Sequence, residues 1–429
     1  MTETQAIIDS YRRASAENLQ AALATVVSVE GSAYRRPGVR MFITETGQTT
    51  GVLSGGCLER DVCERAMRVM RTGEPVVVRY DTTSDDDIVW GLGIGCNGVV
   101  QVLIEPASGE RLDDLIQLLA ECSKNRRRGA LATVIHTLGE TETKIGAWSL
   151  LYPDDATEPE LFTQEVVGAS LRGRRTESRW QRGRPRRDAP TMSVFDDLRE
   201  AVQNGRSMIK RYKVDTASVE VFIEVIEPQV PLVIFGAGDD ALPVVAFARS
   251  LGWHTTVVDT RARPTIIERF ADVDAVVLCR PEEVGDRVPL TESTAVVLMT
   301  HNYLHDLELL KTLLNSRVRY LGCLGPKRRT ERLLSELSGG GLVPADPYFD
   351  QLYAPAGVDI GAETPLEIAL SIIAEIKAVL IGRVGGLLRN RIGSIHTEVT
   401  FDQVSKTRSV MNFDQPFKVG KGQQSVSVA

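Results

Sequence analysis

LVIFGAGDDALPVVAFARSLGWHTTVVDTRARP, Leu232 to Pro264, carries the strand, glycine turn, helix and second strand of a nucleotide-binding unit. Gly236 and Gly238 permit a tight turn and close backbone approach, and Ala241 stands where a third glycine is usual. Asp259 follows at about the 20-residue distance from which an acid receives a ribose hydroxyl. Asp239 and Asp240 oppose this reading, because they bring negative charge to the helix end that should attract a phosphate. That repulsion is worth roughly 1 to 4 kcal/mol per close pair. A nucleotide or pterin-like ligand and a purely structural glycine turn both remain open. NAD(P)-dependent redox catalysis is disfavoured, since nothing downstream offers a hydride-transfer partner.

Outward from this stretch, short apolar runs alternate with helical patterns, the signature of a doubly wound α/β domain. Strands are expected at LVIFG, HTTVVD, DAVVLC, TAVVLMT and RYLGCLG. A last long helix is predicted from Thr364 as cap, Pro365 at the first position and Glu367 three residues after the cap, with Ile368, Ile372, Ile376 and Val379 as its apolar face. In THNYLHD, His301 and His305 would share a helix face; two such residues alone do not make a metal site. The alternatives are a helix capped by Thr300 or Asn302, or ligand contact by His301.

The first half of the chain repeats itself. LATV at 23–26 returns at 131–134, and IEP at 104–106 returns at 226–228. CLERDVCERAMRVMRTGEPVVVRYD is echoed by FDDLREAVQNGRSMIKRYKVD, with Gly73 and Gly205 placed as helix stops. Only the first copy holds GSAYRRPGVRMF, SGGCLE and GLGIGCNG, so a site is expected there. Ser54, Gly55 and Gly56 lead into Cys57 at a turn-to-helix junction, where the positive helix end should favour a thiolate. Cys63 reads as core, with Leu58, Val62 and Ala66. Gly95 and Cys96 sit in a stretch whose backbone N–H groups could wrap an anion, or which is simply a tight connection. Arg35 and Arg36 would suit a phosphate.

The chain has 429 residues, a formal net charge of −7 and 43% hydrophobic residues, which fits two or three globular domains and argues against general nucleic-acid binding. The first 20 residues are polar and no apolar run suits a membrane span, so a cytoplasmic location is expected. Its six cysteines are scattered and read as free thiols. Residues 15–228 are assigned to one domain, with halves 15–106 and 130–228 and an arginine-rich insertion at 172–188. Residues 231–385 form the Rossmann-like domain, and 390–429 a polar tail.

Taken together, GSAYRRPGVRMFITETGQTTGVLSGGCLERDV, GLGIGCNG, the 232–259 stretch, MTHNYLHDLELLK, RYLGCLGPKRRTERLL and APAGVDIGAETPLEIALSIIAEI resemble the XdhC/CoxI family of xanthine dehydrogenase accessory proteins. The resemblance runs in order from about residue 15 to 385. It implies a C-terminal Rossmann-like sheet preceded by a duplicated α+β domain, and a maturation factor rather than an enzyme. Such proteins bind the molybdenum cofactor, a molybdopterin or its dinucleotide, protect it during sulfuration and deliver it to a molybdenum hydroxylase apoenzyme of the xanthine or carbon monoxide dehydrogenase type. Cys57 and Cys96 match the family's motifs and would line the cofactor cleft. A cysteine desulfurase is the implied sulfur donor, and a homodimer is compatible with this reading. An NAD(P)-dependent oxidoreductase or other nucleotide-binding enzyme is the alternative.

Overall fold

The structure, a computed structural model, describes residues 3–31, 33–56, 58–81, 98–107, 109–152, 163–164, 191–214, 216–339 and 351–391. Cys57, Gly95, Cys96 and the 172–188 stretch lie outside the described residues, as does the chain beyond 391. The chain divides into two compact units at Val230.

The first unit runs α1 (Glu3–Ala16), β1 (Ala21–Gly31), β2 (Arg40–Thr44), β3 (Thr49–Thr50), α2 (Glu59–Thr72), β4 (Val76–Asp81), β5 (Gly98–Pro106), α3 (Glu110–Asn125), β6 (Gly129–Leu138), β7 (Trp148–Leu151), β8 (Thr163–Gln164), α4 (Thr191–Asn204), β9 (Met208–Val214) and β10 (Ala217–Ile226). Two antiparallel sheets result, in the orders β3-β2-β1-β5-β4 and β8-β7-β6-β10-β9, so the second repeats the first. Strand alternation gives each sheet two apolar faces. Ala22, Ala24 and Val26 of β1 pack with Val62 and Ala66 of α2, whereas Ala130, Ala132 and Val134 of β6 pack with Leu198 and Ala201 of α4. The opposite faces turn to one another. Leu23, Leu131 and Leu150 pack there with Leu112 and Leu115 of α3. Gly73 closes α2 in the left-handed conformation, at φ 72°, as its position predicts.

Register relates the halves residue by residue. Leu23 faces Glu105 and Thr25 faces Leu103; in the second half Leu131 faces Glu224 and Thr133 faces Phe222. LATV is therefore a true repeat, but the counterpart of Glu105 is Glu224, and VLIE at 102–105 corresponds to VFIE at 221–224 rather than to the later IEP. Both glutamates are buried between the sheets, and each meets an arginine. Arg40 pairs with Glu224 and donates Nη1 to the Gly38 carbonyl at 2.9 Å. Arg111 pairs with Glu105 and donates Nη1 to the Gly146 carbonyl at 2.8 Å. Each guanidinium thus ties a carboxylate of one half to a glycine carbonyl of the other. Burial pushes the Glu224 carboxyl up, against the pull of Arg40.

The second unit contains β11 (Pro231–Phe235), α5 (Ala241–Ser250), β12 (His254–Asp259), α6 (Ile266–Arg269), β13 (Ala275–Leu278), α7 (Val284–Arg287), β14 (Ala295–Leu298), α8 (Tyr303–Leu313), β15 (Tyr320–Cys323), α9 (Lys327–Gly339), β16 (Leu352–Tyr353) and α10 (Pro365–Leu380). The sheet is parallel, in the order β13-β12-β11-β14-β15-β16. All five expected strands are present. The sixth, β16, has two residues and no apolar run to announce it. Val233, Phe235, Val296, Leu298, Leu309 and Leu313 belong to the core beneath it. Thr364 caps α10, accepting from Glu367 N at 3.3 Å, and Glu367 returns the bond to Thr364 N at 2.9 Å. Strand order, not strand direction, reverses between the parallel neighbours β11 and β14, which opens a crevice at the carboxyl ends of these strands.

Candidate functional site

In the first unit the predicted motifs converge. Glu59, the first residue of α2, folds its carboxylate back into the preceding turn. Its Oε1 accepts from the backbone N–H groups of Leu53 (3.1 Å), Ser54 (2.8 Å) and Gly55 (3.3 Å). Its Oε2 accepts from Gly56 N at 3.0 Å, Leu58 N at 3.1 Å and Ser54 Oγ at 2.7 Å. Gly55 and Gly56, at φ 121° and 113°, adopt the backbone that turns these N–H groups toward one point. The turn thus gathers its N–H groups around an anion that the chain itself supplies; the nest expected at Gly95 and Cys96 lies outside the described residues. Burial raises the Glu59 carboxyl, yet the bonds from Ser54 and its neighbours outweigh this and hold it below the usual range.

The arginine turn lies against the same loop. A Cβ on Gly55 would stand 3.8 Å from the Tyr34 ring. Glu3 of α1 links the two segments, pairing with Arg35 through Oε2 and accepting from Val52 N at 3.0 Å through Oε1. Arg36 is exposed. Gly31, three residues before Tyr34, pairs in register with Gly98, where the chain returns from the Gly95–Cys96 stretch. Glu3 therefore holds the Arg35 turn against the segment that leads into Ser54, Gly55 and Gly56, and β5 starts at Gly98 beside the end of β1. Sequence reading missed Glu59. Its signal was available: an acid at the first helical position immediately after a Ser-Gly-Gly turn.

The second unit places Gly236, Gly238, Asp259 and His301 around its crevice, already engaged with one another or with neighbours. A Cβ on Gly236 would run into the Met299 carbonyl oxygen, so the glycine lets β11 and the end of β14 approach. On Gly238 it would meet Asp240. Asp240 Oδ2 holds His301 Nε2 at 2.6 Å, and Asp239 pairs with Arg269. Asp259 is 2% exposed, and Arg263 grips it through Nη2 at 2.9 Å, Nε at 3.2 Å and its backbone N at 2.8 Å. Burial acts against the Asp259 carboxylate, but Arg263 wins and holds its pKa down. The expectation that His301 and His305 share a helix face is corrected. His301 has φ 54° and precedes the cap Asn302, whose side chain accepts from Leu304 N and His305 N, each at 3.1 Å. His305 sits within α8 and shares a 2.8 Å hydrogen bond with Thr260. Among the described residues no cluster of His, Cys, Asp and Glu suits a metal ion, and no helix is long and apolar enough to cross a membrane.

A parallel Rossmann-type sheet thus follows a tandem α+β unit, with the glycine-cysteine motifs in one copy only. Residues 232–376 match the XdhC Rossmann domain, and residues 14–81 match the XdhC and CoxI family. The chain is 32% identical over 365 residues to a protein of Bacillus subtilis (strain 168) described as a probable xanthine dehydrogenase component, covering 83% of this chain and 92% of that protein. It is 23% identical over 361 residues to the molybdenum cofactor insertion chaperone PaoD of Escherichia coli (strain K12), covering 84% and 83% respectively. A crystal structure described as a xanthine dehydrogenase from Bacillus halodurans superimposes with a TM-score of 0.64 at 28% identity, covering 93% of this chain and 99% of that one. The chain belongs to the XdhC and CoxI family.

Proposed function

We propose that this protein is a maturation factor that binds the molybdenum cofactor as cargo, shields it while its terminal sulfido ligand is installed, and passes it to a molybdenum hydroxylase. The observation that carries the reading is the convergence of the Tyr34–Arg35 turn, the Ser54–Leu58 loop and the Gly98 end of the glycine-rich stretch in one copy of a duplicated unit. A relative over most of the chain is named as a molybdenum cofactor insertion chaperone, which supports the cargo. Arg35, Arg36, Ser54, Gly55, Gly56, Cys57, Gly95 and Cys96 form the cargo site in this reading, with Cys57 and Cys96 lining the cofactor cleft. Gly236, Gly238, Asp259 and His301 mark a second crevice, which would take a nucleotide tail only if their present partners yield. A cysteine desulfurase supplies the sulfur, and the cytoplasm is the setting. Acid oxidation of the purified protein should release a fluorescent pterin, and Cys57→Ser should fold normally yet deliver less active cofactor. A preparation from cofactor-producing cells that releases no pterin would refute the reading.

A further inference from the structure

Between the two sheets of the first unit the inner faces part at one end into a cleft of about 460 Å³. Along β5 the inward positions are Gln101, Leu103 and Glu105, and along β10 they are Glu220, Phe222 and Glu224. Leu103 and Phe222 close the middle with Val27 and Ile135, and the paired glutamates close one end. At the other end the lining turns polar. Arg79 stands opposite Gln101 on β4, and Arg211 opposite Glu220 on β9, so the two arginines occupy matching places in the two halves. Their side chains are 57% and 70% exposed.

Neither arginine makes this a simple anion trap. Asp81 holds Arg79 Nη2 at 2.8 Å, and Glu220 holds Arg211. Two carboxylates therefore offset two guanidinium charges, and Glu220 lines the cleft itself. A bare phosphate would meet that carboxylate. A ring amino group would instead donate to it, while the guanidinium N–H groups left over from five per arginine remain for an anionic substituent. Val77, Ile135, Leu138 and Ile145 supply the apolar wall against which a flat ring can lie, and the volume falls in the range of small-molecule sites. The cleft opens where the candidate motifs start. β4 ends at Asp81, two residues after Arg79, and β5 begins at Gly98, beside Gly31.

We infer that this inter-sheet cleft binds a flat, amino-substituted heterocycle bearing an anionic group, with Glu220 accepting from the ring edge and Arg79 and Arg211 holding the anion. The inference rests on the proposed function for the identity of its occupant, a pterin, but its geometry can be tested apart from that reading. Pterin-6-carboxylate, which is fluorescent, serves as the probe in anisotropy titrations of the full chain. Arg79→Ala and Arg211→Ala should each weaken binding about tenfold, the loss of one charge-assisted contact, and should affect unsubstituted pterin less. Leu138→Trp, at a position 67% exposed, fills the cleft without touching an ion pair and should abolish binding with the thermal midpoint retained. Failure of the wild type to bind, or equal binding by all variants, overturns the inference. The pterin released by acid oxidation reports separately on the function. Released pterin with cleft-indifferent probe binding leaves the function standing and removes the cleft, whereas cleft-dependent binding with no released pterin does the reverse.

Discussion

Five backbone N–H groups and one hydroxyl point at the Glu59 carboxylate, which makes this side chain the organiser of the Ser54–Leu58 loop. Glu59→Gln substitutes an amide N–H₂ for one acceptor oxygen and sets donor against donor. A loss of about 1–3 kcal/mol in urea unfolding is expected, in the range for hydrogen bonds to charged groups, and nearer the low end because the loop is partly exposed. Because the folded-state pKa is depressed, Glu59 contributes stability above its unfolded value of about 4.3 that is lost as pH falls through the folded one. The variant should lack that acid-side dependence. The same carboxylate changes what the helix end can do for Cys57, since the N–H groups of Gly56 and Leu58 on either side of it already serve an anion. Glu59→Gln should therefore speed alkylation of Cys57 by limiting iodoacetamide near neutral pH; an unchanged rate by mass spectrometry would show that Glu59 does not govern the thiol. Four other thiols should lag. Burial raises Cys63 and Cys279, and pushes Cys122 and Cys323 up to about 12.

The pairing of the two sheets depends on Arg40 and Arg111. Removing one member of a buried pair costs about 3–5 kcal/mol, because the other charge stays buried alone. Arg40→Met should show a loss of that size in chemical denaturation, and Arg40→Met with Glu224→Leu should recover much of it; a double variant no more stable than the single would mean that shape, not charge, sets this contact. Gly236→Ala tests the crevice in the same way. At φ 126°, and facing the Met299 carbonyl, alanine should destabilise by more than about 1 kcal/mol. Legibility in the sequence follows this division between local and distant. The five strands of the parallel sheet were readable because strands buried on both faces are continuous apolar runs, and the α10 cap because its partners are three residues apart. Arg40 with Glu224 was not, since 184 residues separate them. Arg79 and Arg211, 132 positions apart in the sequence, meet across one cleft only through strand register.

For the whole molecule the crevice of the second unit bears on cofactor choice. Each position a dinucleotide would address has an internal partner: Asp239 with Arg269, Asp240 with His301, Asp259 with Arg263. NADH titrated against intrinsic tryptophan fluorescence should bind weakly or not at all, and Asp239→Gly with Asp240→Ser should strengthen it. Micromolar binding by the wild type would contradict the charge argument. The tandem sheets of the first unit carry a different consequence. Had two identical protomers built this arrangement, every loop would appear twice, because an isologous pair repeats each residue on both sides. Joining the copies in one polypeptide lifts that obligation. Each copy is free to specialise its own loops, the first with its glycine-cysteine motifs and the second with its arginine-rich insertion, and the single chain can present a chemically one-sided face to whatever it meets.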